Sequence, residues 1–99
     1  MTRHVVVDTS GPTATDIWPL ANMRMRGKFT STIKGVQDGA GVASAELWVN
    51  GMYMGTDTTA PYSVVVDTGI SSGTLALDWR LTDSFGNQSS YKRNVIAVK

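Results

Sequence analysis

The chain has 99 residues, no cysteine and a formal net charge of +1. This length fits one domain with one core, and a chain without cysteine can form neither a disulfide nor a thiolate metal site. Because nine basic residues are nearly balanced by eight acidic ones, the chain has no broad positive field for nucleic acid. No apolar run approaches the length that crosses a bilayer, so we expect no membrane insertion.

The first eleven residues are predicted to be a strand and linker that precede the domain proper. Residues 4–8 (HVVVD) are rich in β-forming valine, and Gly11-Pro12 marks a turn. Residues 3–7 resemble residues 93–98, about 90 positions later, which is a domain-sized period. This similarity favours the interpretation that residues 1–11 are the last strand of a preceding repeat and its linker. The alternative is that both segments are simply valine-rich strands. The domain itself is assigned to residues 12–99.

Two extended segments begin the domain. Residues 13–18 predict a first strand, which ends before Pro19 because proline cannot donate to a strand ladder. Residues 28–34 (KFTSTIK) alternate between apolar and polar side chains. This alternation places Phe29 and Ile33 on one face of a second strand.

The centre of the chain predicts a β-hairpin. Ala45, Leu47 and Val49 alternate with polar or bulky residues up to the dipeptide Asn50-Gly51. Asn and Gly both tolerate the positive φ angles of a two-residue type I′ turn. Residues 52–56 form the return strand, and residues 62–67 form the next strand beyond a Thr-Ala-Pro corner.

The last part of the chain predicts two more strands. Leucines at positions 75, 77 and 81 share a face with Trp79, whereas Arg80 lies on the opposite face. A turn at residues 83–87 leads into a final strand over residues 91–98. Helical spacing of apolar residues occurs nowhere, and about seven short strands separated by turns indicate an all-β sandwich of two antiparallel sheets. The predicted core is Phe29, Ile33, Leu47, Val49, Leu77, Trp79 and Leu81.

Four segments resemble the bacterial immunoglobulin-like (Big) domains of secreted and cell-surface proteins, in the same order and spacing. They are DGAGVA at residues 38–43, ELWVNG at 46–51, GTDTTAPYS at 55–63 and DSFGN at 83–87. The resemblance covers roughly residues 12–98 and implies an immunoglobulin-like β-sandwich. It also implies a non-catalytic module of a larger extracellular bacterial protein, acting as a spacer or as a protein-interaction and adhesion element. Its expected partners are neighbouring domains of the same polypeptide, and we expect a monomer in isolation.

The residues themselves also argue against an enzyme. His4 is the only histidine and lies near the N-terminus, far in sequence from any candidate nucleophile. A Ser-His-Asp arrangement requires a histidine that is held rigidly by a third group. Glu46 is the only glutamate, and most aspartates fall in turns, where they make local hydrogen bonds. We therefore predict no catalytic residues.

A calcium-stiffened inter-domain linker is one alternative function. Five aspartates fall at strand ends or loops, and calcium takes six to eight oxygen ligands. No D-x-D-x-D spacing occurs, and each aspartate is more simply explained as a turn former or a strand end. The candidates are Asp8, Asp38, Asp57, Asp67 and Asp83.

An exposed apolar patch on the hairpin is the candidate binding site. The alternation points Trp48 away from the core, and we expect Met52 or Met54 beside it across the hairpin, with Tyr53 nearby. Such a patch would contact a protein, a sugar or a neighbouring domain. It would suit an accessory carbohydrate- or substrate-binding module of a secreted hydrolase. The alternative is that a longer side chain on the same sheet half covers Trp48.

Overall fold

All elements of the described chain are β-strands. The computed structural model describes residues 11–39, 41–67 and 73–98, so the predicted strand at residues 4–8 lies outside the described residues. Within these ranges, no helix is long and apolar enough to cross a membrane. The strands are β1 (Asp16–Trp18), β2 (Arg24–Arg26), β3 (Phe29–Lys34), β4 (Val42–Val49), β5 (Met52–Asp57), β6 (Tyr62–Val66), β7 (Gly73–Asp83) and β8 (Gln88–Val98).

The strands form two sheets that face each other. One sheet has the order β1-β3-β6, and the other has the order β2-β8-β7-β4-β5. The apolar inner faces of both sheets meet in one core, which confirms the predicted immunoglobulin-like sandwich.

Two features of the first strands differ from the sequence prediction. The strand expected over residues 13–18 is shorter, because Thr13 makes only an isolated bridge with Gln37 and β1 begins at Asp16. Strand β2 was not predicted, and it pairs parallel with β8, with Arg24 opposite Ile96. The sheets are therefore not antiparallel throughout. A three-residue strand has too little alternation to be visible in sequence.

The predicted hairpin joins β4 and β5. Asn50 and Gly51 have φ angles of 51° and 82°, and a two-residue type I′ turn requires positive φ at both of these positions. Val49 pairs with Met52 on either side of the turn. The register shifts between Leu47 and Trp48, so that one extra residue of β5 is accommodated there.

The predicted core is confirmed, because all seven of its side chains are buried. Trp79 at its centre has no exposed surface. Its indole N–H donates a 3.0 Å hydrogen bond to Ser31 Oγ, and the Ser31 hydroxyl donates a 2.9 Å bond to the Trp18 carbonyl. A tryptophan in a core must satisfy its N–H in this way, and the sequence did not identify Ser31 as its partner.

The chain joins the sandwich at one end and leaves it at the other. The Ser89 hydroxyl donates a 2.6 Å hydrogen bond to the Pro12 carbonyl, which fixes the start of the domain beside the start of β8. Strand β8 then runs without a break to Val98. At about 3.3 Å per residue, the stretch from Ser89 to Val98 spans about 30 Å.

Candidate functional site

The outer face of the five-stranded sheet carries the candidate site. Side chains alternate along a strand, so Glu46 and Trp48 of β4 point away from the core. In the neighbouring strand β7, Arg80 is the residue opposite Glu46, and Asp78 is the residue opposite Trp48. Four polar or aromatic side chains therefore occupy adjacent positions on one face.

Trp48 is held by two of these neighbours. Its indole N–H donates a 3.2 Å hydrogen bond to Glu46 Oε1. The guanidinium carbon of Arg80 lies 4.4 Å from the centroid of the indole ring, a geometry that gives a favourable cation–π interaction. One face of the Trp48 ring is thus covered by a side chain of the same sheet, as the alternative interpretation of the sequence expected.

Arg80 is in turn positioned by Asp78. The Arg80 Nε atom lies 3.1 Å from Asp78 Oδ2, and the guanidinium group is held between this carboxylate and the indole ring. The other carboxylate oxygen, Asp78 Oδ1, is buried and has no hydrogen-bond partner among the described residues. Asp78 thus forms an ion pair with Arg80 through one carboxylate oxygen only.

Tyr53 meets the other side of Trp48. The two ring centroids are 5.6 Å apart and the ring planes are inclined by 67°, an edge-to-face contact. The Tyr53 hydroxyl also hydrogen-bonds to the Thr56 hydroxyl. About half of the Tyr53 side chain remains exposed, so it forms the accessible part of this aromatic pair.

The expected contact between Trp48 and the methionines is wrong. Because of the register shift, Tyr53 is the residue across from Trp48, and Met52 lies across from Val49 on the other face of the hairpin. Met52 is exposed near the turn, whereas Met54 packs partly against the core. The structure brings together Trp48 and Tyr53 but places Met52 and Met54 elsewhere.

The residues that complete this cluster were not recognised from sequence. Alternation along β4 and β7 places Arg80, Asp78 and Glu46 on the outer face, yet nothing in the local sequence pattern indicates that they contact Trp48. The register between β4 and β7 decides this contact. We call Glu46, Trp48, Tyr53, Asp78 and Arg80 the outer cluster.

Asp83 illustrates how the candidate calcium ligands are used. It is buried at the end of β7 and accepts 2.9 Å hydrogen bonds from the Phe85 and Asn87 backbone N–H groups. The Asn87 side-chain amide donates a third bond of 3.1 Å. Burial acts to raise the pKa of Asp83, but the hydrogen bonds from Asn87 and Phe85 outweigh it and lower the pKa below its ordinary value.

Asp57 has a similar role at the corner between β5 and β6. Its carboxylate accepts hydrogen bonds from the Thr59 N–H at 3.0 Å and the Ser63 N–H at 3.1 Å. These bonds lower the pKa of Asp57. Across the described residues, no three acidic, histidine or cysteine side chains are grouped as a metal site would require. Asp8 and His4 lie outside the described residues.

Comparison with known proteins gives a family match and several similar folds. The sequence profile of the family described as "Bacterial Ig domain" matches residues 12–90. No curated protein sequence matches the chain significantly.

Several solved structures share the fold. The fibronectin(III)-like modules of CbhA from Clostridium thermocellum superpose with a TM-score of 0.74 at 20% identity, covering 84% of this chain and 46% of that one. The spore cortex lytic enzyme SleM of Clostridium perfringens gives a TM-score of 0.62 at 14% identity, over 89% of this chain and 28% of that one. CopC from Methylosinus trichosporium OB3b gives a TM-score of 0.53 at 16% identity, over 87% of this chain and 92% of that one.

These similarities define the fold of the chain and its size relative to the matched structures. The chain spans less than half of the length of the CbhA and SleM structures that it matches. At identities of 20% or less, the shared feature is the sandwich, and a sandwich hosts many unrelated functions.

Proposed function

The chain belongs to the bacterial Ig domain family, and from this premise we propose that it is a non-catalytic module of a larger extracellular bacterial protein. In this proposal the module is a spacer that holds neighbouring domains of the same polypeptide a fixed distance apart. Its exposed sheet faces and loops provide contact area for other proteins. Bacterial Ig domains typically occur in secreted or cell-surface proteins, which is the reason for the extracellular location.

The opposite positions of Pro12 and Val98, near the two limits of the described domain, are the observation that supports the spacer role. Pro12 is anchored beside Ser89 at the start of β8, and Val98 lies at the far end of the same strand. A domain inserted in this way separates its neighbours by the length of the sandwich, whereas adjacent ends would fold the neighbours back against each other.

The rigidity of the module also supports this role. The core draws its side chains from both sheets, and Arg93 of β8 donates to the carbonyls of Ile17 and Pro19 at 2.9 and 3.1 Å. The same guanidinium lies 3.6 Å from Asp16. Arg93 thus fastens the first strand of one sheet to the last strand of the other.

The spacer role can be tested by placing the 99-residue chain between two fluorescent domains. We expect single-molecule energy transfer to report one narrow distance that is insensitive to salt, because a folded sandwich does not extend or contract. A flexible Gly/Ser linker of the same number of residues is the control, and its distances should be broad. A distribution as broad as that of the linker would refute the spacer role.

A further inference from the structure

The turn between β4 and β5 contains a dipeptide with a chemistry of its own. A backbone nitrogen can attack the side-chain carbonyl of the asparagine before it, and glycine has no side chain that hinders this attack. Among the asparagines of the chain, Asn50 is the only one that a glycine follows. Asn50 and Gly51 are both exposed, and a Cβ added at Gly51 would meet no described atom within 4 Å. Packing around the turn therefore does not shield the pair.

The reaction is a deamidation that consumes only water. The Gly51 nitrogen forms a bond to Asn50 Cγ, and the Cγ–Nδ2 bond breaks. Ammonia leaves with the proton that the Gly51 nitrogen gives up, and a five-membered cyclic imide remains. Water then opens the imide at one of its two carbonyls, which yields aspartate or isoaspartate at position 50.

The folded sheet holds the Asn50 side chain away from this nucleophile. The Ala76 N–H donates a 2.8 Å hydrogen bond to Asn50 Oδ1, and the Asn50 N–H donates a 3.0 Å bond to the Ala76 carbonyl. Ala76 lies in β7, whereas Gly51 leads into β5. In the sheet, β7 and β5 lie on opposite sides of β4. The electrophilic carbonyl and the nucleophilic nitrogen are thus directed to opposite sides of the strand.

The turn conformation also separates the two reacting atoms. Asn50 has a φ of 51°, and the first central residue of a type I′ turn has a ψ of about +30°. At this ψ, the next nitrogen lies nearly anti to Cβ across the Cα–C bond, whereas closing a five-membered ring requires the two to be nearly eclipsed. Because a reaction needs its atoms close and aligned, the native turn blocks the attack.

We propose that Asn50 is a deamidation site that the folded domain keeps closed and that opens only when the end of β4 separates from β7. Both hydrogen bonds to Ala76 break in this opening, and Asn50 leaves its positive-φ conformation. Openings of this kind are local unfolding events. Since the product does not return to asparagine, deamidated chains accumulate with the time that this end of the sheet spends open. The inference concerns the domain by itself and does not rest on the spacer role.

The two products differ in their effect on the hairpin. Aspartate keeps the backbone unchanged, and its carboxylate can accept the Ala76 N–H in place of the amide oxygen. In isoaspartate the backbone passes through Cβ and Cγ, which adds one atom to the chain within the turn. A two-residue turn matched to the twist of its strands does not accommodate this atom. We therefore expect the isoaspartate form to refold with lower stability than the aspartate form.

The experiment compares deamidation of the folded chain with that of the chain unfolded in urea, at the same mildly alkaline pH. Mass spectrometry of the tryptic peptide 35–80 reports the reaction, because Asn50 is its only asparagine. The folded chain should deamidate at least about tenfold more slowly, since only its open fraction reacts. A synthetic peptide of residues 46–54, with and without urea, controls for the effect of urea on the chemistry.

Two variants identify the atoms involved. Gly51→Ala adds a methyl group beside the attacking nitrogen and should slow the reaction in urea, where the fold has no influence. Asn50→Asp reproduces one product without the reaction. Its midpoint in urea denaturation should lie close to that of the wild type and above that of the purified isoaspartate form.

Hydrogen exchange of the Ala76 amide measures the opening independently, because this N–H is bonded to Asn50 Oδ1. The slowing of deamidation in the folded chain should be at least as large as the protection of the Ala76 amide. A slowing far below that protection, or equal rates in the folded and unfolded chains, would show that the closed turn reacts and would overturn the proposal. Absence of reaction at Asn50 in the unfolded chain would refute the site itself.

Discussion

The two faces of the five-stranded sheet each hold a tryptophan, and the two are stabilised in different ways. Trp79 on the inner face is fully buried and donates its indole N–H to Ser31 of the opposite sheet. Trp48 on the outer face donates its N–H to Glu46 of its own strand, and Arg80 covers its ring. Both indole N–H groups are satisfied, but only the inner one links the two sheets.

This difference separates residues that stabilise the fold from residues that order its surface. Removing Trp79 leaves a cavity between two rigid sheets, which cannot close it fully. Removing Trp48 exposes side chains that water can solvate. We therefore expect a large loss of stability on the inner face and a small one on the outer face.

The largest effect is expected for Trp79→Ala. Truncation of a large buried aromatic side chain lowers the free energy of unfolding by about 3–5 kcal/mol. Urea denaturation followed by circular dichroism measures this change. Trp79→Phe keeps most of the side-chain volume and should lose less free energy of unfolding. A loss below about 1 kcal/mol for Trp79→Ala would contradict the assignment of Trp79 to the centre of the core.

A smaller effect is expected for Ser31→Ala. This change leaves the Trp79 N–H and the Trp18 carbonyl without their partner, and an unsatisfied buried group costs about 1–3 kcal/mol. Thr30→Ala, at an exposed neighbouring position, is the control and should change stability by less than about 0.5 kcal/mol. Equal effects of the two variants in urea denaturation would show that the buried hydrogen bonds contribute nothing.

The Asp83 carboxylate, at the end of β7, should make the stability of the domain depend on pH in the acid range. Its pKa is lowered in the folded state, so the carboxylate contributes stability above the ordinary aspartate pKa of about 3.9. This contribution is lost as the pH falls through the lowered pKa of the folded state. The free energy of unfolding should therefore decrease over the acid range, as measured by urea denaturation at a series of pH values.

Asp83→Asn is the matched variant for this acid dependence. It should be less stable than the wild type at neutral pH and should show a shallower decrease in acid. The part that remains belongs to groups such as Asp57, whose pKa is also lowered. An unchanged acid dependence in Asp83→Asn would contradict the role of Asp83.

A double-mutant cycle of Trp48→Ala and Arg80→Ala sharpens the comparison on the outer face. We expect a coupling of about 0.5–1 kcal/mol, because a cation over a half-buried ring at the protein surface is worth little more. Urea denaturation of the two single variants and the double variant measures it. A coupling as large as the loss in Trp79→Ala would mean that the two faces do not differ.

The smallest effect is expected for Trp48→Ala on the binding of polysaccharides. Arg80 already covers one face of Trp48, so the wild type and Trp48→Ala should migrate equally in affinity gels that contain plant or cell-wall polysaccharides. Arg80→Ala uncovers the ring and is the matched variant. Retardation of the wild type that Trp48→Ala abolishes would instead support an accessory carbohydrate-binding module.

The inner face could be predicted from the sequence because it follows local rules. Alternation placed Trp79 in the core, and Asn50-Gly51 marked the hairpin turn. The remaining features depend on which residues meet across strands. An extra residue in β5 places Tyr53 beside Trp48, and the partner of Trp79 is Ser31 on a strand distant in sequence. Such contacts are set by the register and the packing of the two sheets, which local alternation does not specify.

The parallel pairing of β2 with β8 affects how the domain behaves under tension. The Asn22 N–H donates to the Asn94 carbonyl at 2.8 Å, and the Ile96 N–H donates to the Met23 carbonyl at 2.9 Å. When the two ends of the sandwich are pulled in opposite directions, parallel strands slide along each other, and these bonds bear the load together. An antiparallel pair pulled from adjacent ends would instead open one bond at a time. Strand β2, one of the two shortest strands of this fold, thus contributes hydrogen bonds that resist shear against β8.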